Sequence, residues 1–245
     1  MANEAVKSES KSDLAFSEGE HYSQYDDKPW MVEMISKGRH RNLVGAMWGE
    51  VGRLQLDFLK QVGLEPRHTV LDIGCGCLRA GVELIRYLKP NHYYGIDAEK
   101  ELLEIGYRTE LLKAGLHNRV RRNNLYCSHL FHHGRLADDS IDFGISISVI
   151  THLPFNFMRI CLENTERYFR IGAKLYVSFF EIGEATRFSE RITNDEGITT
   201  SGFTDPYHYY KRDMLNVAEN SRWRARYIGQ WNHPRGQSLM EYERV

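Results

Sequence analysis

Between Leu43 and Val62 the apolar residues Met47, Val51, Leu54, Phe58 and Val62 recur three or four positions apart, the period of one buried helix face. Gly63 and Pro66 end that run, as glycine and proline do when a helix stops. The period then changes. TVLDI (69–73) is a short apolar run closed by a glycine-containing turn, after which Val82, Leu84, Ile85 and Leu88 resume helical spacing. The pattern predicts strand, turn and helix, and it repeats. HYYGID (92–97) reads as a strand, and Leu102, Leu103, Ile105, Leu111 and Leu112 mark a helix after it. A weaker strand is expected near 119–126. In IDFGISISV (141–149) the apolar odd positions alternate with Gly144, Ser146 and Ser148, small residues expected to let a covering helix approach closely. A helix from about Phe155 to Phe169 leads to KLYVSFFE (174–181), rich in aromatic and β-branched residues.

Strands alternating with helices imply a parallel sheet covered on both faces. The end of the chain departs from this. KRDMLNVAEN (211–220) reads as a helix, and RARYIGQW (224–231) and SLMEYER (238–244) as an antiparallel pair joined through NHPRGQ. Residues 1–28 are polar and lack a periodic apolar face, so a flexible tail is expected there, followed by a single domain over 29–245. Within it, 29–66 reads as a helical lid and lead-in, 67–181 as a core, and 182–245 as an added segment ending in the hairpin.

Composition narrows the function without naming it. Lys plus Arg number 32 and Asp plus Glu 33, so no global field draws the chain to nucleic acid or an anionic membrane. The basic run RVRR (119–122) has no interleaved aromatics of the kind that line nucleic-acid grooves. No apolar run reaches the roughly 18 residues that span a bilayer, and the polar start has no secretory signal. A cytoplasmic protein is expected. Four cysteines, two of them flanking Gly76, suit a reducing compartment. No metal is expected, because neither the cysteines nor HLFHH (129–133) shows zinc-ligand spacing.

The chemistry concentrates in VLDIGCGCLRAG (70–81). In an open parallel sheet the ligand lies beyond the carboxyl ends of the strands, where this turn falls. Gly74 and Gly76 permit backbone angles and a closeness that side chains would block. Asp97 ends the next strand about 20 residues on, suited to ribose hydroxyls. A nucleotide-type site follows. Counted from Gly74, Arg79 stands where the pyrophosphate-binding fingerprint needs Gly or Ala, which disfavours a nicotinamide dinucleotide.

Over roughly residues 68–181 the chain resembles the class I S-adenosylmethionine-dependent methyltransferases, VLDIGCG being the most specific element. The resemblance implies a Rossmann-like α/β fold: a seven-stranded, mostly parallel sheet with helices on both faces, a C-terminal antiparallel hairpin and, ahead of it, the helical lid. It implies S-adenosylmethionine as cofactor. Asp72, Gly74 and Gly76 would border its methionine part, Asp97 would take the ribose, Asn124 would face the adenine, and Ser148 would begin the segment where cofactor and acceptor meet. Two positions depart from the family pattern: Cys77 or Leu78 replaces a third glycine, and Asn124 an acid.

For an oxygen acceptor a base must remove a proton. His152, just past the fourth strand in SVITHLPF (148–155), is the first candidate and Glu181 the second. Either side chain suits a structural role as well: His152 as a cap or pocket wall, Glu181 as a cap or the partner of an arginine. Tyr207 and Tyr209 in DPYHYYKR (205–212) are candidates to stack on the acceptor, or core residues. In QWNHPRGQ (230–237), His233 and Arg235 exceed what a turn requires and would bind a carboxylate, phosphate or sugar hydroxyls if that connection reaches the ligand edge. The expected function is methyl transfer, at oxygen, to a small or medium polar, hydroxylated and sugar-like acceptor. Methylation of a protein or RNA, and a non-catalytic cofactor-binding protein on the same fold, are the competing readings.

Overall fold

At the centre of the sheet the strands Val70–Ile73, Tyr93–Asp97 and Ile141–Ser146 are short, mainly apolar runs buried on both faces along most of their length, the signature of parallel strands between helical layers. The computed structural model describes residues 27–245; the expected N-terminal tail lies, up to residue 26, outside the described residues. Three helices come first: α1 (Lys28–Ser36), capped by the Asp27 carboxylate on the Trp30 amide, α2 (His40–Leu43) and α3 (Trp48–Gln61). The alternation then runs β1 (Val70–Ile73), α4 (Arg79–Tyr87), β2 (Tyr93–Asp97), α5 (Lys100–Ile105), β3 (Leu125–Cys127), β4 (Ile141–Ser146), α6 (Asn156–Thr165) and β5 (Phe169–Ile182). A short pair β6 (Ile192–Thr193) and β7 (Thr199–Thr200) precedes β8 (His208–Tyr210), α7 (Lys211–Asn216), β9 (Trp223–Gln230) and β10 (Ser238–Arg244).

The main sheet has the order β3-β2-β1-β4-β5-β10-β9, parallel from β3 to β5, with β10 antiparallel to both neighbours. This is the expected seven-stranded sheet with its terminal hairpin. β8 adds a parallel pairing to the far end of β5, Phe180–Ile182 against His208–Tyr210. The aromatic run in DPYHYYKR thus supplies a buried strand. Strand order reverses between β1 and β4, and such a reversal opens a crevice at the carboxyl edge.

Side chains alternate between two cores. Leu71 and Ile73 of β1 face a layer with α6, α7 and β10, while Val70 faces α3 and α4. The small residue Gly144 admits a side chain rather than a helix: a Cβ there would lie 2.5 Å from the Phe169 ring. Two expectations shift. The third strand shrinks to Leu125–Cys127, because residues 117–124 form two single turns. The helix after β2 widens into a π-helical stretch over Gly106–Leu111, which changes its phase and leaves Leu112 exposed while Leu111 is buried.

The N-terminal helices are clasped to this body. Met31 and Leu43 pack on Cys77 and Leu102. His40 and Arg41 both bond the buried Glu110 carboxylate of the π-helical stretch, at 2.6 Å from His40 Nε2 and from Arg41 Nη2. Arg41 also lies 4.5 Å over the Trp48 ring.

Candidate active site

A cavity of about 710 Å³ opens at the carboxyl edge where the strand order reverses. Its floor is the glycine turn. After β1 the chain passes through Gly74 at φ 71°, Gly76 at φ 53° and Leu78 at φ 72° before α4 begins. Gly74 and Cys75 both donate to the Ile96 carbonyl, folding the turn over β2. A Cβ on Gly74 would meet Val149 at 2.2 Å, and one on Gly76 would meet Val44 at 2.5 Å. The glycines thus let β4 and the N-terminal segment close on the turn.

Asp97, at the end of β2, lines the cavity and fastens the turn: Oδ2 accepts from Gly76 N at 2.7 Å and Oδ1 from Glu99 N at 2.8 Å. Burial raises its carboxyl to about 6, against the lowering effect of those two amides. Glu99 beside it pairs with Lys28 of α1, so the N-terminal helix reaches this end of the cavity. Asp72 is buried one strand over, and its Oδ2 accepts the Tyr93 hydroxyl at 2.7 Å. Burial raises it to about 7, partly offset by that bond. Its side chain is not in the cavity wall. Neither is Asn124, whose amide donates to the Tyr93 carbonyl at 3.0 Å; Ser128, His129 and Phe131 line the cavity near the end of β3 instead.

Across the turn stands Ser148, at φ 59° just after β4. Its amide donates to Ser178 Oγ at 2.8 Å, and its hydroxyl to Gln237 Oε1 at 3.0 Å. Ser178 also donates to that oxygen at 2.6 Å. This network ties β4, β5 and the β9–β10 connection together at the cavity wall.

His152, in a single turn over Ile150–His152, lines the cavity, and its Nδ1 lies 2.6 Å from Asp205 Oδ1. With Nδ1–H donated to the carboxylate, the ring takes the tautomer whose lone pair is on Nε2. Asp205 was missed as a site residue, although it begins the DPYHYYKR run. The Tyr207 amide donates to the Thr151 carbonyl at 2.7 Å, which sets Asp205 beside the histidine turn.

The other candidates divide. Tyr207 and Tyr209 are 3% and 1% exposed, stacked with centroids 6.5 Å apart in the core, and neither lines the cavity. Tyr209 donates to the Leu153 carbonyl and packs on Phe155, bracing the turn that follows His152. Glu181 accepts from the hydroxyls of Tyr227 and Ser238, also outside the cavity wall. The β9–β10 connection does reach the ligand edge, and His233 and Arg235 line the cavity. Among the described residues no group of three or more His, Cys, Asp or Glu is arranged to hold a metal ion, and no helix is long and apolar enough to cross a membrane.

No protein-family model matches the chain, and no curated protein matches it. Solved structures do. A SAM-dependent methyltransferase from Methanosarcina mazei superposes with a TM-score of 0.52 at 18% identity, covering 76% of this chain and 94% of that one. Magnesium protoporphyrin IX methyltransferase from Synechocystis PCC 6803, crystallised with SAH, gives 0.58 at 14% identity over 88% and 97% of the two chains. The [4+2]-cyclase SpnF gives 0.56 at 12% identity over 79% and 81%. At these identities the likeness is one of fold.

Proposed function

We propose that this chain, whose fold is that of the class I S-adenosylmethionine-dependent methyltransferases, is itself such an enzyme and methylates an oxygen of a small or medium hydroxylated, sugar-like acceptor. The observation that carries the reading is the juxtaposition in one cavity of the Asp97-fastened glycine turn and His152, whose ring is held by Asp205. Residues 67–181 would hold the cofactor and 182–245 would complete the acceptor side. The free cysteines suit a cytoplasmic setting.

The donor set fits the cofactor. Each Asp97 oxygen accepts one backbone N–H, and a carboxylate oxygen has room for a further hydrogen bond, so the pair can take two vicinal ribose hydroxyls. The carbonyls of Gly74 and Gly76 and the Ser148 hydroxyl oxygen would serve as acceptors for the ammonium of the amino-acid part, since the three N–H groups are already engaged. When bound, S-adenosylmethionine supplies a methyl group already activated by its sulfonium, so positioning is the protein's main contribution. His152 Nε2 accepts the proton of the acceptor hydroxyl, and Asp205 fixes the ring and stabilises the imidazolium that results. Glu181, held by Tyr227 and Ser238 outside the cavity wall, is left without this part. Tyr207 and Tyr209 act from behind, holding the turns on which His152 and Asp205 sit.

The test is transfer of an isotope-labelled methyl group from S-adenosylmethionine to a panel of hydroxylated acceptors, sugar-bearing ones included, read by mass spectrometry. Labelled product is expected with wild type and a loss of about 10²-fold or more with His152→Ala. Binding of the cofactor with no transfer to any acceptor would turn the reading towards a non-catalytic binder.

A further inference from the structure

Part of the cavity wall is cationic. Among the described residues that line the cavity the only carboxylates are Asp97 and Glu99, at and just after the end of β2. The same lining holds Arg79, His233 and Arg235. The two guanidiniums converge on one short turn: Arg79 Nη1 donates to the Val44 carbonyl at 2.6 Å and Arg235 Nη2 to the Gly45 carbonyl at 2.8 Å. Gly45 is at φ 82°, and a Cβ on it would lie 3.1 Å from both terminal nitrogens of Arg235. The absent side chain is what lets the guanidinium lie flat on this turn.

His233 completes the corner. It is 5% exposed, with its ring stacked on Trp231. Its Nδ1 accepts the Arg235 amide at 3.3 Å, which leaves the proton on Nε2. That nitrogen is buried with no hydrogen-bond partner among the described residues. Burial, then the charges of Arg79 and Arg235, push the ring down to about 3. It is therefore neutral near pH 7 and serves as a donor rather than a third cation. A buried N–H without an acceptor is costly, and two guanidiniums beside it define the acceptor that would relieve it.

We propose that Arg79, His233 and Arg235 form an anion-binding corner of the cavity that takes a carboxylate or phosphate group. A planar guanidinium fork matches both oxyanions, and the imidazole N–H adds a third, uncharged donor. Under the methyltransferase reading, on which this inference rests for its ligand, two sources carry such a group: the amino-acid carboxylate of the cofactor and an acid on the acceptor.

Calorimetry on wild type, Arg235→Gln, Arg235→Lys and His233→Leu separates them. The probes are S-adenosylhomocysteine, 5′-methylthioadenosine, which lacks the carboxylate, and inorganic phosphate in the presence of methylthioadenosine. Arg235→Gln and His233→Leu are expected to weaken one anion-bearing probe, or both, by about tenfold to a hundredfold, with Arg235→Lys intermediate and methylthioadenosine unchanged. A loss confined to S-adenosylhomocysteine assigns the corner to the cofactor, and one confined to phosphate assigns it to the acceptor. If every variant retains a cooperative thermal transition and binds both probes as wild type does, the proposal is overturned. Should Arg235→Gln fail to fold, Arg235→Lys and His233→Leu carry the comparison. If wild type binds phosphate in an Arg235-dependent way but neither adenosyl compound, the methyltransferase reading fails while the corner stands.

Discussion

Replacing Asp97 by Asn tests the cofactor site where its energetics are best defined. In the free protein burial raises this carboxyl from 3.8 to about 6, so the ionised form is disfavoured by about 3 kcal/mol relative to water. The folded value lies above the unfolded one. Asp97 therefore contributes stability that is fully present below the unfolded value near 4 and is lost as pH rises through about 6. Two ribose hydroxyls donated to the carboxylate would favour the ionised form and reverse part of that penalty. Binding of S-adenosylhomocysteine to wild type should then weaken about tenfold between pH 7 and pH 5, where only about a tenth of the competent form remains. Asp97→Asn should bind about 10–100-fold more weakly at pH 7, through loss of the charge-assisted hydrogen bonds. It should also lose the part of the pH dependence that Asp97 causes. Asp72, raised to about 7 beside it, titrates in an overlapping range, so Asp72→Asn serves as the control that retains the Asp97 step. Isothermal titration at pH 5, 6, 7 and 8 makes the comparison. Wild-type affinity in Asp97→Asn, or an unchanged pH slope, refutes the assignment of the ribose to this carboxylate.

Two further tests address the catalytic pair and the N-terminal clasp. Asp205→Asn should lower kcat by about 10–100-fold with S-adenosylhomocysteine affinity retained, because the ring keeps a hydrogen-bond partner but loses the charge that stabilises the imidazolium; single-turnover kinetics check it. Glu110 is buried, and although burial alone would raise its carboxyl, the bonds from Arg41 and His40 hold it below the usual range. Glu110→Gln should destabilise by about 2–4 kcal/mol, discounted for the half-exposed Arg41, and lower Tm by about 5–12 °C. Because the folded value lies below the unfolded one, this contribution is present above about pH 4.3 and is lost as pH falls through the folded value, so the difference between the two proteins should shrink in acid-denaturation curves.

The strands were legible because burial on both faces turns a parallel strand into an unbroken apolar run, as in VLDI and YYGID. β3 was legible in its presence but not in its bounds, since only three residues pair and its upstream neighbours are drawn into turns; Arg119, for one, donates to the carbonyls of Ile85 and Leu88 at the end of α4. The link between the glycine turn and Asp97 was readable as a spacing, because one βα unit fixes both ends. Asp205 was unreadable for the opposite reason: it meets His152 across 53 residues through the insertion of β8 beside β5, a juxtaposition no local pattern encodes. Tyr207 and Tyr209 misled because a tyrosine ring suits a core and a binding wall equally. His233 and Arg235 stood out because a hairpin turn has no use for an imidazole and a guanidinium.

Backbone strain collects around the same cavity. Of the non-glycine residues with positive φ, Asn91, Asp139, Asn220 and Asn232 belong to the types that tolerate it. The others are Ala46, Met47, Leu78, Phe131 and Ser148, all in segments that wall the cavity. Such conformations cost about 1–2 kcal/mol each and persist only where neighbours over-determine them. Ser148 is held by Ser178 and Gln237, and the 44–46 turn by Arg79 and Arg235. The strain at Ala46 can be removed almost alone, since its side chain is a single methyl. Ala46→Gly relieves the left-handed penalty at φ 50° but adds unfolded-chain entropy worth about 0.5–1 kcal/mol. A net gain of about 0.5–1 kcal/mol should remain, raising Tm by about 1–4 °C. The freed turn would then hold Arg79 and Arg235 less firmly, and S-adenosylhomocysteine or phosphate affinity should fall by about two- to fivefold through lost preorganisation. A scanning calorimeter and the titrations above read both quantities. A lower Tm would show that the conformation is not strained, and a higher Tm with unchanged affinity for either probe would show that the strain is not spent on binding.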